Sequence, residues 1–132
     1  MTAIRYYAGL GCRRGCTVAE LHELLQHTLQ AHDLHGTQLA ALATIDTKRD
    51  EVGLQALAQR WNVPLLSFSA AQLADFEQRL LTPSAIALRA TGTAGVAEAS
   101  ALAAAGTGGE LLGAKCKSAA ATCALARAID AI

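Results

Sequence analysis

Charge of one sign, aromatic rings, proline and long apolar runs are all scarce in this sequence. Lys+Arg and Asp+Glu stand at 11 each, so the formal net charge is zero. That balance argues against sequence-blind nucleic-acid binding, which needs a broad basic surface, and no nucleic-acid partner is expected. A local cationic pocket remains compatible with it. No run of about 18 apolar residues occurs, so no membrane-spanning helix or membrane partner is expected. Met1-Thr2-Ala3-Ile4-Arg5 lacks the charged-then-apolar start of a secretory leader. The expectation is a cytoplasmic protein whose four cysteines are thiols rather than a disulfide framework. G-x-S-x-G is absent, and with it the nucleophile elbow. Cys12 and Cys16 are spaced C-x-x-x-C, but Cys116 and Cys123 are far along the chain. Such spacing does not match structural zinc, so neither metal nor cofactor is expected.

What is present is a chain of 132 residues, enough for one domain spanning 1–132 with its own core. Apolar residues make up 52%, which argues against disorder. Much of that fraction is alanine, which favours closely packed helices over bulky aromatic layers.

Ile4 to Ala8 reads as a first strand ended by Gly9, and Gly9 to Cys16 as a glycine-rich loop. Thr17 and Glu20 have the spacing of a capping box before a helix to about His32, with Val18, Leu21, Leu25 and Leu29 at helical spacing. Gly36 lies in the turn that follows. Leu39 to Ala43 is a short apolar run that suits a buried strand. The next helix places Leu54, Leu57, Ala58 and Trp61 on one face and is stopped by Asn62 and Pro64. Val63 to Phe68 is a third strand. Ser69 and Gln72 form another capping box, with Leu73, Phe76 and Leu80 inward. A short helix is expected between Pro83 and Ala90, a break at Gly92 to Gly95, and an alanine-rich helix over Val96 to Ala105 stopped by Gly106. Glu110 to Ala114 and Ala121 to Ala126 remain as a hairpin-like pair of strands. The order predicts an α/β protein, a three-layer α/β/α domain with a mixed, partly parallel sheet.

Three strands run straight into helices, through loops at Gly9–Cys16, Ile45–Lys48 and Ser67–Ser69. Parallel strands would bring all three loops to the carboxyl edge of the sheet, where ligands of open α/β sheets bind. Gly9, Gly11, Cys12, Arg13 and Arg14 resemble a dinucleotide fingerprint with one residue too many. The glycines permit close approach and the arginines suit carboxylates or phosphates. A tight turn with two solvated arginines explains the run equally well. Thr44, Asp46, Lys48 and Glu51 crowd the second loop. Asp46 and Glu51 are either helix-start residues or partners that orient Lys48 toward an anion. After Gly95, Glu98 is either a macrodipole partner or a carboxylate aimed into a cleft and paired with Lys115 or an arginine. Lys115 and Lys117 equally suit the cap of a hairpin loop. His32 and His35 read as a surface pair.

These motifs jointly resemble the CobE/CbiG C-terminal-domain family of cobalamin biosynthesis. The matching runs are Gly9 to Gly15, Ala43 to Leu54, Gly95 to Leu102, and Leu111-Leu112 with Lys115, in order across essentially the whole chain. The length implies the short stand-alone CobE type associated with the aerobic route. The resemblance implies a protein that binds a carboxylate-rich precorrin or corrin intermediate as an accessory or carrier, with other enzymes of the pathway as further partners. An alternative is a hydrolase of a precorrin ring lactone, with Asp46 or Glu98 activating water. A third reading is a small nucleotide-binding domain. The ligand site implied is Gly9, Gly11, Cys12, Arg13, Arg14, Thr44, Asp46, Lys48, Glu51, Gly95, Glu98 and Lys115.

Overall fold

A computed structural model describes residues 2–34, 39–76, 95–106, 108–113 and 115–131. Its elements run β1 (Thr2–Cys12), α1 (Val18–Ala31), β2 (Leu39–Ile45), a 3-10 turn (Asp46–Lys48), α2 (Val52–Trp61), β3 (Leu65–Phe68), α3 (Ala70–Ala74), α4 (Val96–Ala105), β4 (Glu110–Leu111), β5 (Cys116–Lys117) and β6 (Ala121–Ala131). The sheet order is β3-β2-β1-β6-β4, with β5 also beside β6. β1, β2 and β3 are mutually parallel, whereas β6 is antiparallel to β1, β4 and β5. The expected α/β fold with a mixed sheet is therefore the fold observed. Expectations for Gly36, Leu80, Pro83 to Ala90 and Gly92 to Ala94, and the partner of His32 at His35, fall outside the described residues.

Alternation along β1 decides how the layers stack. Side chains on a strand point to opposite faces in turn. Ala8 and Leu10 join the core under α1 and α2, together with Leu21, Leu25, Leu42, Leu54, Leu57, Cys123 and Leu125. Gly9 points the other way, beneath α4. A Cβ at Gly9 would collide with the Ala97 carbonyl and lie 2.7 Å from the Ala101 nitrogen. At Gly11 it would lie 3.6 Å from the Val96 Cβ.

This corrects the reading of Gly9 as the end of the strand. The backbone stays extended through Cys12, pairing Gly9 with Ala124 and Gly11 with Thr122 on β6. The glycines serve close helix-on-sheet packing, and the true loop is shortened to residues 13–17. β6 is likewise longer than expected and lies between β1 and the short edge strands β4 and β5. β4 does pair with it, Glu110 opposite Arg127. The two-residue β5 is too short to show in the pattern.

Helix ends follow local chemistry. The Thr17 side chain accepts a hydrogen bond from the Glu20 N–H at 3.2 Å, so Thr17 caps α1. The Glu20 carboxylate does not reach back, and that half of the expected capping box is absent. At α3 both halves of the box between Ser69 and Gln72 are present. Asn62 closes α2 in the left-handed conformation, and Gly106 ends α4 with φ +80. Trp61 Nε1 donates to His22 Nδ1 at 3.0 Å and ties α2 to α1.

Gly9→Ala should cost about 3 kcal/mol or more, because backbone rather than a yielding side chain meets the new methyl group. Gly15→Ala, at φ +79 with open space around it, should cost only about 1 kcal/mol. Urea midpoints of the two variants followed by circular dichroism check the ordering; equal losses would contradict the packing role given to Gly9.

Candidate functional site

β1 and β2 end side by side, and one buried hydrogen bond fixes their ends. Thr44 Oγ1 donates to the Leu10 carbonyl at 2.7 Å. Thr44 is thus occupied inside the sheet, while Asp46 begins the exposed 3-10 turn beyond it.

The loop after β1 is held by backbone groups. Arg13 N–H donates to the Ala120 carbonyl at 2.8 Å, and Cys16 N–H donates to the Arg13 carbonyl at 3.1 Å. Gly15 N–H donates to Glu51 Oε2 at 3.1 Å. Gly53 lets α2 start against the Cys16 carbonyl, where a Cβ would not fit. Glu51 is therefore the N-cap residue of α2 by position, but its carboxylate orients the β1–α1 loop. Between the two helix starts lies an open cleft of about 400 Å³. Arg14, Thr17 and Val18 line one side, and Glu51, Val52 and Ala56 the other. Val52 is 78% exposed, so this cleft has an apolar wall in contact with water.

Cys12, Cys16, Lys48 and Glu51 act on one another electrostatically. Burial pushes the Cys12 thiol up to about 11, with Cys16 and Glu51 adding to the rise and Lys48 opposing it. Burial also raises Cys16, helped by Glu20 and Glu51. Neither thiol is a ready nucleophile or metal ligand at neutral pH, since both roles need the thiolate. Among the described residues no group of three or more His, Cys, Asp or Glu is placed to hold a metal ion.

A second group forms beside α4. Gly95 occupies its N-cap and Glu98 its first turn, fully buried. Lys115 is half-buried; burial lowers its pKa, Glu98 opposes that shift and Lys117 adds to it. Glu98 and Lys115 are therefore within electrostatic reach of each other. Of the twelve sequence-derived candidates, Cys12, Arg13, Arg14, Lys48 and Glu51 gather at the β1–α1 loop and the start of α2. Gly95, Glu98 and Lys115 gather by α4. Gly9 and Gly11 lie in the strand under α4, which removes the turn context that a dinucleotide fingerprint requires.

Sequence reasoning missed the residue that joins the loops. The Glu20 carboxylate accepts from the Ser118 hydroxyl and from the Ala120 N–H, the latter at 2.7 Å. Those hydrogen bonds, the Ser118 hydroxyl's first, hold its carboxyl below the ordinary value of 4.5. Its partners lie 98 and 100 residues away, so no local spacing carries the signal.

Fold and site together define a three-layer α/β domain with a charged carboxyl edge. The family model described as cobalamin synthesis G C-terminus matches residues 6–126, and the chain belongs to that family. It is a cobalamin biosynthesis protein of the CobE/CbiG type. Over 118 residues it is 37% identical to Protein CobE of Sinorhizobium sp, covering 89% of this chain and 77% of that one. It is 31% identical over 94 residues to a cobalt-precorrin-5A hydrolase of Priestia megaterium, 71% of this chain but 25% of the hydrolase. A crystal structure of CobE, a protein from the cobalamin (vitamin B12) biosynthetic pathway, superposes with a TM-score of 0.90 at 50% identity, covering 94% of this chain and 90% of that one. No described helix is long and apolar enough to cross a membrane.

Glu20 ties pH to stability. A carboxyl held low in the fold contributes stability that is present above about pH 4.5 and lost as pH falls through its folded value. Glu20→Gln should therefore melt lower than the wild type at pH 7, and the gap should close below pH 4.5. Thermal melts of both proteins from pH 7 to pH 3 measure this; a gap that stays constant would show that the charge is irrelevant.

Proposed function

We propose that this chain binds a carboxylate-rich precorrin or corrin intermediate of the aerobic cobalamin route, as an accessory or carrier protein for other enzymes of the pathway. The observation that carries the reading is the cleft between the starts of α1 and α2, where Arg14 and Val52 stand on opposite sides of one opening. Corrin precursors are flat rings with apolar faces and carboxylates around the rim. A cleft of this volume takes one edge of such a ring rather than the whole. Val18, Val52 and Ala56 offer apolar contact, and Arg13, Arg14 and Lys48 offer cations to the rim. The raised Cys12 and Cys16 thiols supply no nucleophile beside it, which favours holding over covalent chemistry.

One observation favours a second reading, a hydrolase acting on a precorrin ring lactone. Glu98 is fully buried and Lys115 answers to its charge. A shielded carboxylate beside an ammonium group can activate water and steady a developing oxyanion. Cobalt-precorrin-5A hydrolase is among the relatives, although this chain spans 25% of its length. Asp46, exposed on the 3-10 turn, is less suited to that role.

Spectral titration with precorrin and corrin intermediates separates the readings. Binding without turnover is expected. Arg13→Ala and Lys48→Ala should each weaken it about tenfold, equivalent to ~1.4 kcal/mol, with melting temperatures nearly unchanged. Large melting shifts with intact binding would move the site elsewhere. Turnover abolished by Glu98→Gln would establish the second reading instead.

A further inference from the structure

Cys116 of β5 stands directly opposite Cys123 of β6 in the antiparallel register. Both are free thiols, Cys123 fully buried and Cys116 partly exposed, and both pack into the core cluster beneath α1. The Ser118 N–H donates to the Ala121 carbonyl at 2.8 Å across the turn between the strands. Hydrogen-bonded pairs alternate along an antiparallel ladder, so Cys116 and Cys123 form the next such pair. The Cα atoms of such a pair lie about 5.5 Å apart, and disulfides favour about 5.5–6 Å. Directly opposed residues also send their side chains to the same face. Burial raises the Cys123 thiol, a hydrogen bond with Thr28 opposes the rise, and the charge of Cys116 adds to it, which places the two sulfurs within electrostatic reach.

We propose that Cys116 and Cys123 are a thiol modification site that closes a reversible intrachain disulfide on meeting a low-molecular-weight disulfide. The more accessible Cys116 thiolate attacks the small disulfide, forms a mixed disulfide and releases one small thiol. Cys123 then gives up its proton and attacks the Cys116 sulfur, releasing the second. Two protein thiols are oxidised and one small disulfide is reduced to two thiols. Burial pushes the Cys123 thiol up to about 12. Ring closure is therefore the slow step, and the mixed disulfide at Cys116 builds up first. The link would join the two ends of the turn that Glu20 grips, next to Lys115 and Lys117. It stands independently of the ligand proposed above.

The test incubates the full chain with oxidised glutathione, blocks remaining thiols, digests with trypsin and reads the fragments by mass spectrometry. Cleavage after Lys115 and Lys117 should leave Cys116-Lys117 joined to the fragment Ser118–Arg127. Dithiothreitol should separate the two fragments. Early samples should carry glutathione on Cys116 that later samples have lost. Cys123→Ala should stop at that mixed disulfide, and Cys116→Ser should give no link. Should either variant fail to fold, the wild-type fragment map decides alone. Glutathione that persists on Cys116 without a link would overturn the proposal, as would a link from Cys116 to Cys12 or to a second chain.

Discussion

The seam between Gly9 and α4 sets the geometry of everything around it. Helix and sheet ordinarily meet through interlocked side chains; here the backbone of β1 meets the backbone of α4. That contact demands small residues on both partners. On the sheet they are Gly9, Ala124 and Ala126, and on the helix Ala97, Ala99, Ser100 and Ala101, all buried. The Ser100 hydroxyl fits because it bonds to carbonyls on both sides, Ala97 at 3.2 Å and Ala43 at 3.4 Å. The opposite face carries the leucines, so one helical layer is held close and the other stands off on bulky side chains. Close docking also brings the first turn of α4 to the level where β1 and β2 end, with Val96 beside Gly11. The position of Gly95 and Glu98 at the charged edge is a consequence of a missing Cβ on β1.

The second organising contact lies at the same edge on the other face. Gly53 lets α2 begin against the Cys16 carbonyl, and Glu51 then meets the Gly15 N–H. Arg13 is tied through its backbone to Ala120, whose own N–H is bound by Glu20. Arg13 is therefore positioned by main-chain bonds, Arg14 lies between it and the Gly15 that Glu51 holds, and no side-chain hydrogen bond occupies Arg13 or Arg14 among the described residues. By contrast, Arg127 is paired with Glu110 at 3.0 Å on an exposed strand, an ion pair of small energetic weight. The Arg13 and Arg14 side chains are both exposed at this edge. Their charge is local, because the chain as a whole is neutral.

The layers, the parallel first three strands and most helix ends were legible because they rest on local chemistry: the leucine spacing of α1, Ser69 with Gln72, and Asn62 and Gly106 after their helices. What escaped reading depended on distant partners. Gly9 and Gly11 look like turn residues until α4, about 90 residues on, is placed over them. Glu20 has the right spacing for a capping box, and only the Ser118–Ala120 turn draws it away. Thr44 reads as one more polar loop residue, yet its hydroxyl closes the sheet end. At the site, the grouping of Lys48 and Glu51 with Cys12 followed from strand order. The apolar wall of Val18, Val52 and Ala56 did not, since each of those residues reads as an ordinary member of its helix.

Glu98 breaks the rule that the seam imposes. Every residue of α4 from Val96 to Leu102 is buried, and the others are apolar or carry a small hydroxyl. A carboxylate there must be taken out of water. A first-turn acid gains from the helix dipole, but that gain is available to an exposed side chain at far lower cost. Lys115 lies within electrostatic reach of it, and burial lowers the Lys115 pKa while Glu98 opposes that shift. Buried ion pairs are often matched or bettered in stability by well-packed apolar residues, by roughly 1–4 kcal/mol. Stability is thus a weak reason for an acid at this position. The residue lies at the edge where the strands end, within electrostatic reach of a cation on β5's approach. It is the single charged group of α4, and the close seam with β1 carries it to the level where β1 and β2 end.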